Sequence, residues 1–187
     1  VSKLINDKAS PNELFNEEIK YAKEPMIEYL YELFNLCLKT YTTPKVWREG
    51  LIVSLFKKGS KDDPGNYRPI TLLDCIGKLY ASILNARLTK FLETNNLLAT
   101  SQNGFRTVDN RNCDDHVFCL SELCRHATTH RKPLHICFID FKSAFDAVPR
   151  NALLYQLTQL GIEENLYNAI SSLYQHTEAQ ALPTESS

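Results

Sequence analysis

The sequence predicts a mixed α/β (α+β) fold, rich in helix around a small sheet. Three observations lead there. Apolar residues recur at helical spacing in six stretches. Two β-rich runs, GLIVSLF and RPITLL, flank a charged, turn-rich excursion. A further apolar run within HICFIDFKSAFDAVPR stops abruptly on Asp140.

In chain order, Asn12–Lys23 reads as a helix, with Asn12 as its cap and acids in the first turns. A second helix runs from Pro25, which suits a first turn because its missing N–H is not needed there, to about Thr40. Met26, Leu30, Leu33, Phe34, Cys37 and Leu38 form its single apolar stripe. Gly50–Phe56 reads as a strand, KKGSKDDPGNY as a turn region and RPITLL as returning extended chain, together a hairpin with a long tip. From Asp74 to about Asn95, the spacing of Ile76, Leu79, Tyr80, Ile83, Leu84, Leu88, Phe91 and Leu92 is helical. NNLLATSQNGFR is irregular, Asp114–Thr128 is a helix, and Leu134–Phe141 is a buried strand. Pro149 opens a helix ending near Leu160, with Gly161 in the stop position, and Glu163–Gln175 is the last helix. The tail ALPTESS carries no fold signal, and the chain has no internal repeat or low-complexity tract.

The 187 residues suffice for one sizeable core or parts of two subdomains. Hydrophobic residues at 43% and charged residues at 23% describe a globular chain and exclude a disordered or fibrous one. No apolar run reaches bilayer length, and the start VSKLINDKAS does not resemble a secretion signal. With six cysteines and no such signal, the expectation is free thiols in a reducing, intracellular compartment, nucleus or cytoplasm. The net charge of −1 hides an asymmetry: Lys39 to Arg111 holds twelve Lys or Arg against six Asp or Glu, and the remainder nine against sixteen. A basic middle segment suits a polyanion. On charge alone, a solvated face is the favoured reading.

Asp140 closes an apolar run beside a loop that leads into a helix. At that edge of an α/β sheet ligands bind, and a carboxylate there can hold Mg²⁺, which prefers hard oxygen donors and bridges to phosphates. A helix cap or a surface acid is the plain alternative. An aspartate-nucleophile phosphatase is another, but it calls for a second Asp two positions on, where Lys142 stands.

The surrounding residues carry a family resemblance. FIDFKSAFDAVPR resembles the first catalytic motif, FxDxxxAFD, of reverse transcriptases encoded by non-LTR (LINE-like) retrotransposons. Upstream, VWREGLIVSLFKKGSKDDPGNYRPITLL is similar to the fingers motif of that family, SQNGFR to its QxGFR segment, and GIEENLYNAISSLYQ to the helix after the first motif. The ordered match runs from about Pro44 to Gln175.

The resemblance implies right-hand polymerase fingers and a partial palm with an incomplete sheet. Residues 1–43 would be a helical lead-in, 44–133 fingers with part of the palm, 134–176 the first palm motif and its helices, and 177–187 a tail. The implied chemistry is addition of deoxynucleotides to a DNA primer on an RNA template, with Mg²⁺. By matching position, Asp140 and the backbone carbonyl of Phe141 would bind the metal. Phe145 would be the steric gate against a ribose 2′-hydroxyl, with plain core as its alternative. Arg68, and Lys57 or Lys58, would meet the triphosphate; for the lysines, with Lys61, a solvated hairpin tip is the alternative. Arg106 would either touch template backbone or pair with an acid, and Asp146 would orient rather than bind metal.

Two-metal phosphoryl transfer draws carboxylates from two places, and the YxDD sequence that supplies the second in this family is not among the 187 residues. Asp114–Asp115 does not replace it: the pair precedes Asp140, lacks a Tyr two places before, and begins a helix, where acids favour the dipole. The expectation is therefore a chain without polymerase activity by itself, and the alternative a non-enzymatic remnant or co-opted domain that binds nucleic acid or protein. Cys113, His116 and Cys119, with Cys124, His126 and His130 beyond, have spacings that raise a zinc site. Four ligands do not converge from one helix, so buried thiols and a helix-face imidazole are the preferred reading.

Overall fold

The computed structural model describes residue 11 and residues 16–106 and 111–181. They divide into two compact units: one runs to Ala86 and resumes at Gly161, and the other is Arg87–Leu160.

The first unit opens with helices α1 (Asn16–Tyr21) and α2 (Lys23–Thr40). The Asn12 cap expected from sequence lies outside the described residues. Every member of the predicted α2 stripe is buried or half-buried. A 3-10 turn, Lys45–Arg48, leads into β1 (Glu49–Phe56), which pairs antiparallel with β2 (Tyr67–Leu72) in the expected hairpin. The tip is built by its turn residues. Gly59 takes a φ of +97°, Asp63 accepts from the Gly65 N–H at 2.8 Å, and Asn66 Nδ2 donates to the Ser60 carbonyl at 2.9 Å.

Helix α3 (Cys75–Thr94) starts beside buried Asp74, whose Oδ1 accepts from the Gly77 N–H at 2.8 Å. Its first half faces the core, where Phe34, Trp47 and Tyr80 meet with ring centroids 5.3–6.0 Å apart. Gly77 is part of that fit, because a Cβ there would stand 2.8 Å from Trp47 Cγ. A later helix of the same unit, Glu164–Tyr174, buries Ala169 and Ile170. It is tied back by Thr43 Oγ1 donating to the Ser172 carbonyl at 3.0 Å and by Tyr41 O–H donating to Asn165 Oδ1. The chain then adds β3 (Glu178–Ala181) parallel to β1, giving the sheet order β2-β1-β3. Thus Ala181, read from sequence as part of a featureless tail, ends a strand; residues 182–187 lie outside the described set.

The second unit contains the rest of α3, α4 (Cys113–Thr129) and α5 (Arg150–Gln159), which makes the helix Glu164–Tyr174 α6. Asn112 and Asp115 form a reciprocal capping box on α4, Asn112 Oδ1 accepting from Asp114 N–H at 2.7 Å and Asp115 Oδ2 from Asn112 N–H at 2.9 Å. The Asp114–Asp115 pair is thus first-turn helix chemistry. Pro149 precedes α5, and Gly161 follows with a φ of +73°.

Two sequence expectations are corrected in this unit. Leu134–Phe141 is not a buried strand: residues 132–141 run without regular structure, and every residue from 131 to 150 is exposed. A β-rich run states a local preference, but a strand needs a neighbour to accept its ladder, and no described strand pairs with this one. Nor are the α4 thiols buried, since Cys113 and Cys119 are exposed and Cys124 half-buried. Among the described residues no helix is long and apolar enough to cross a membrane.

Candidate active site

Asp140 ends the unpaired run, exposed, with no side-chain hydrogen bond or ion pair to another described residue. Phe141 follows, and the chain then coils through Lys142–Ala147. Ser143 sits at a φ of +51° and its carbonyl accepts from the Ala147 N–H at 2.9 Å. Phe145 and Asp146 lie on that coil. Phe145 is 80% exposed, so it is not a core side chain, and its ring stands edge-on to Phe105 at 6.1 Å and 89°. Asp140, Phe141 and Phe145 therefore line one open, solvent-facing segment.

The hairpin positions the cationic residues within the first unit. Leu55 is the direct partner of Arg68, and one ladder step on, the Lys57 N–H donates to the Asn66 carbonyl at 2.8 Å. Both lysines lie just past Phe56, the last residue of β1, where the chain enters the hairpin tip. Phe56 and Tyr67 occupy the face opposite Arg68, with rings 5.5 Å apart. Arg68, Lys57 and Lys58 are all exposed, and their side chains bond to no other described residue.

Arg106 follows the acid-pairing alternative. Its Nε and Nη2 donate to Glu93 Oε1 and Oε2 at 2.6 Å each, with side chains only 9% and 8% exposed. Nη1 donates to the carbonyls of Ala99, at 3.2 Å, and Gln102, at 3.5 Å. Four of its five N–H donors are used inside the protein, so Arg106 clamps the loop between Glu93 and itself.

For a divalent metal, the adjacent Asp140 carboxylate and Phe141 carbonyl fit in kind, since both are hard oxygen donors. They do not make a closed site, and no group of three or more His, Cys, Asp or Glu among the described residues is placed to hold an ion. The pocket beside the β1–β3 pairing, lined in part by Glu49, Gly50, Glu178 and Gln180, includes none of the sequence-predicted site residues.

Sequence reasoning missed two partners. Glu93 stands thirteen residues before Arg106 across an irregular loop, with no local signal to join them. Phe105 had one signal, its place in the same SQNGFR motif, but nothing in the spacing pairs it with Phe145.

With this geometry in place, comparison with known proteins gives a consistent result. Residues 56–186 match the family described as reverse transcriptase (RNA-dependent DNA polymerase). The chain is 28% identical over 146 residues, 78% of its length, to the probable RNA-directed DNA polymerase from transposon BS of Drosophila melanogaster. It is 27% identical over 177 residues, 94% of its length, to the RNA-directed DNA polymerase from mobile element jockey of Drosophila funebris. It is 32% identical over 144 residues, 73% of its length, to the putative 115 kDa protein in type-1 retrotransposable element R1DM of Drosophila melanogaster. The chain spans 16%, 19% and 13% of these relatives' own lengths.

Proposed function

This chain belongs to the reverse transcriptase (RNA-dependent DNA polymerase) family, and from that premise we propose that it supplies fingers and the first palm motif for RNA-templated DNA synthesis. The observation that carries the reading is the open segment presenting Asp140, Phe141 and Phe145 together, free of side-chain bonds that would tie the carboxylate into the fold.

The proposed roles follow from chemistry. The Asp140 carboxylate and the Phe141 carbonyl would hold Mg²⁺, which when bound neutralises triphosphate charge. Arg68, a planar fork with free donors, suits bidentate capture of phosphate oxygens. Lys57 or Lys58, at the end of the same hairpin strand, would add a second positive charge. Phe145 presents a bulky ring that would meet a 2′-hydroxyl, favouring deoxynucleotides. The partners are then an RNA template, a DNA primer and a dNTP.

One carboxylate position does not clamp both attacking and leaving oxygens, so the 187-residue chain alone makes no DNA. In primer extension on an RNA template with Mg²⁺, the expected result is no product; clear synthesis would refute this. Mg²⁺-dependent binding of a dNTP should weaken tenfold or more in Arg68→Ala, and equal binding by both proteins would remove Arg68 from the site. A second reading, a non-enzymatic domain that binds nucleic acid, draws on the exposed Lys57, Lys58 and Arg68. It is favoured if the chain binds an RNA–DNA hybrid salt-dependently while binding no dNTP.

A further inference from the structure

We propose that His126 and His130 form a two-imidazole chelate, at the C-terminal end of α4, for a divalent transition cation of the Zn²⁺, Ni²⁺ or Cu²⁺ class. The two residues are four apart, so they rise from one helix face. Their rings stack with centroids 4.1 Å apart and 30° between planes, and both side chains are exposed. Metal–imidazole bonds of about 2.0–2.1 Å require the two ligating nitrogens to lie within about 4 Å of each other; lone pairs of stacked rings run nearly parallel, so binding turns the exposed His126 ring out of the stack toward His130 Nε2.

The backbone settles the tautomer of one ring. His130 Nδ1 lies 2.9 Å from the His126 carbonyl oxygen, an atom that only accepts, so Nδ1 carries the proton of the neutral ring. The lone pair is left on Nε2, at the outer edge of the ring. A hydrogen bond of this kind on the non-ligating nitrogen is what orients metal-binding histidines.

The donor set also sets the selectivity. Glu122, one turn before His126, is held by Arg125 at 2.7–3.2 Å. Since no larger group of ligands is assembled among the described residues, two imidazoles face the ion and water completes its shell. Such a site takes borderline cations and leaves Mg²⁺, which demands oxygen. It is chemically separate from anything Asp140 would hold.

The test uses the full chain without a histidine tag, its cysteines first alkylated because exposed Cys113, Cys119 and Cys137 would also take these metals. Calorimetric titration with NiCl₂ should show one ion per chain. Affinity should fall tenfold or more in His126→Gln and in His130→Gln, stay unchanged in His116→Gln on the same helix, and resist competition by excess MgCl₂. Far-UV circular dichroism checks that each variant is folded, and His126→Asn replaces any that is not. Absence of binding, or an equal loss in His116→Gln, overturns the proposal.

Discussion

Arg106 and Glu93 are joined by two parallel hydrogen bonds of 2.6 Å, with both side chains almost wholly withdrawn from water. The same guanidinium holds two carbonyls of the intervening loop, at Ala99 and Gln102. One side chain thus organises a stretch that has little regular structure of its own. Such a pair contributes little compared with apolar packing of the same volume, yet removing one partner strands a buried charge.

Replacing Glu93 with Gln should therefore destabilise the Arg87–Leu160 unit strongly, by about 3–5 kcal/mol. The double replacement Glu93→Leu with Arg106→Met should recover most of the loss, because no charge is left unpaired. Urea unfolding followed by circular dichroism measures both. A double variant as weak as the single one would show that the guanidinium matters for the loop carbonyls rather than for Glu93.

Gly77 supplies a second test, in the other unit. A Cβ would approach Trp47 Cγ at 2.8 Å and its Cβ at 2.9 Å, in a core already filled by Phe34 and Tyr80. Gly77→Ala should cost about 1–3 kcal/mol through overpacking, despite the better helix propensity of alanine. Gly104→Ala, where nothing lies within 4 Å of the added atom, should be near neutral. Thermal melts of the two variants decide it.

Burial pushes the Cys37 thiol above its ordinary value of 9.0, a backbone hydrogen bond pulling weakly the other way. A raised pKa means that the folded chain keeps a proton the unfolded chain has released. This contribution is complete below pH 9.0 and is lost as pH rises through the folded value. The urea midpoint should fall above that pH, and Cys37→Ala should flatten the fall. Lys45, raised by its hydrogen bond and charge attraction to Glu49, adds to the slope only at still higher pH, being a solvent-exposed pair. Under native conditions a thiol reagent should modify Cys113, Cys119 and Cys137 quickly and the buried Cys37 and Cys75 slowly.

The legible parts of the fold were those whose signals are local. The α2 stripe of Leu30, Phe34 and Cys37 names a helix face, and Gly59 with Asp63-Pro64-Gly65 names a turn. Where structure depends on a distant neighbour, the pattern misleads in both directions. The apolar run 134–141 has strong strand preference and no described partner, so it stays unpaired. Glu178–Ala181, whose residues Glu, Ala, Gln and Ala favour strands little, becomes β3 because β1 offers an edge, with Glu49 opposite Glu178 and Ile52 opposite Ala181.

Asp140 separates what holds the fold from what would do chemistry. A carboxylate placed for stability caps a helix or pairs with a cation, as Asp115 and Glu93 do. Asp140 does neither among the described residues and stands exposed between Ile139 and Phe141, rings and branches that are 79% and 76% exposed themselves. Asp140→Asn keeps the shape and removes the charge, so its effect on stability should stay within about 0.5 kcal/mol, the usual range for an exposed position. The same substitution should abolish Mg²⁺-dependent dNTP binding if the carboxylate holds the metal. A melt shifted by several degrees would mean that Asp140 serves the fold, and unchanged melt together with unchanged dNTP binding would leave it a plain surface acid.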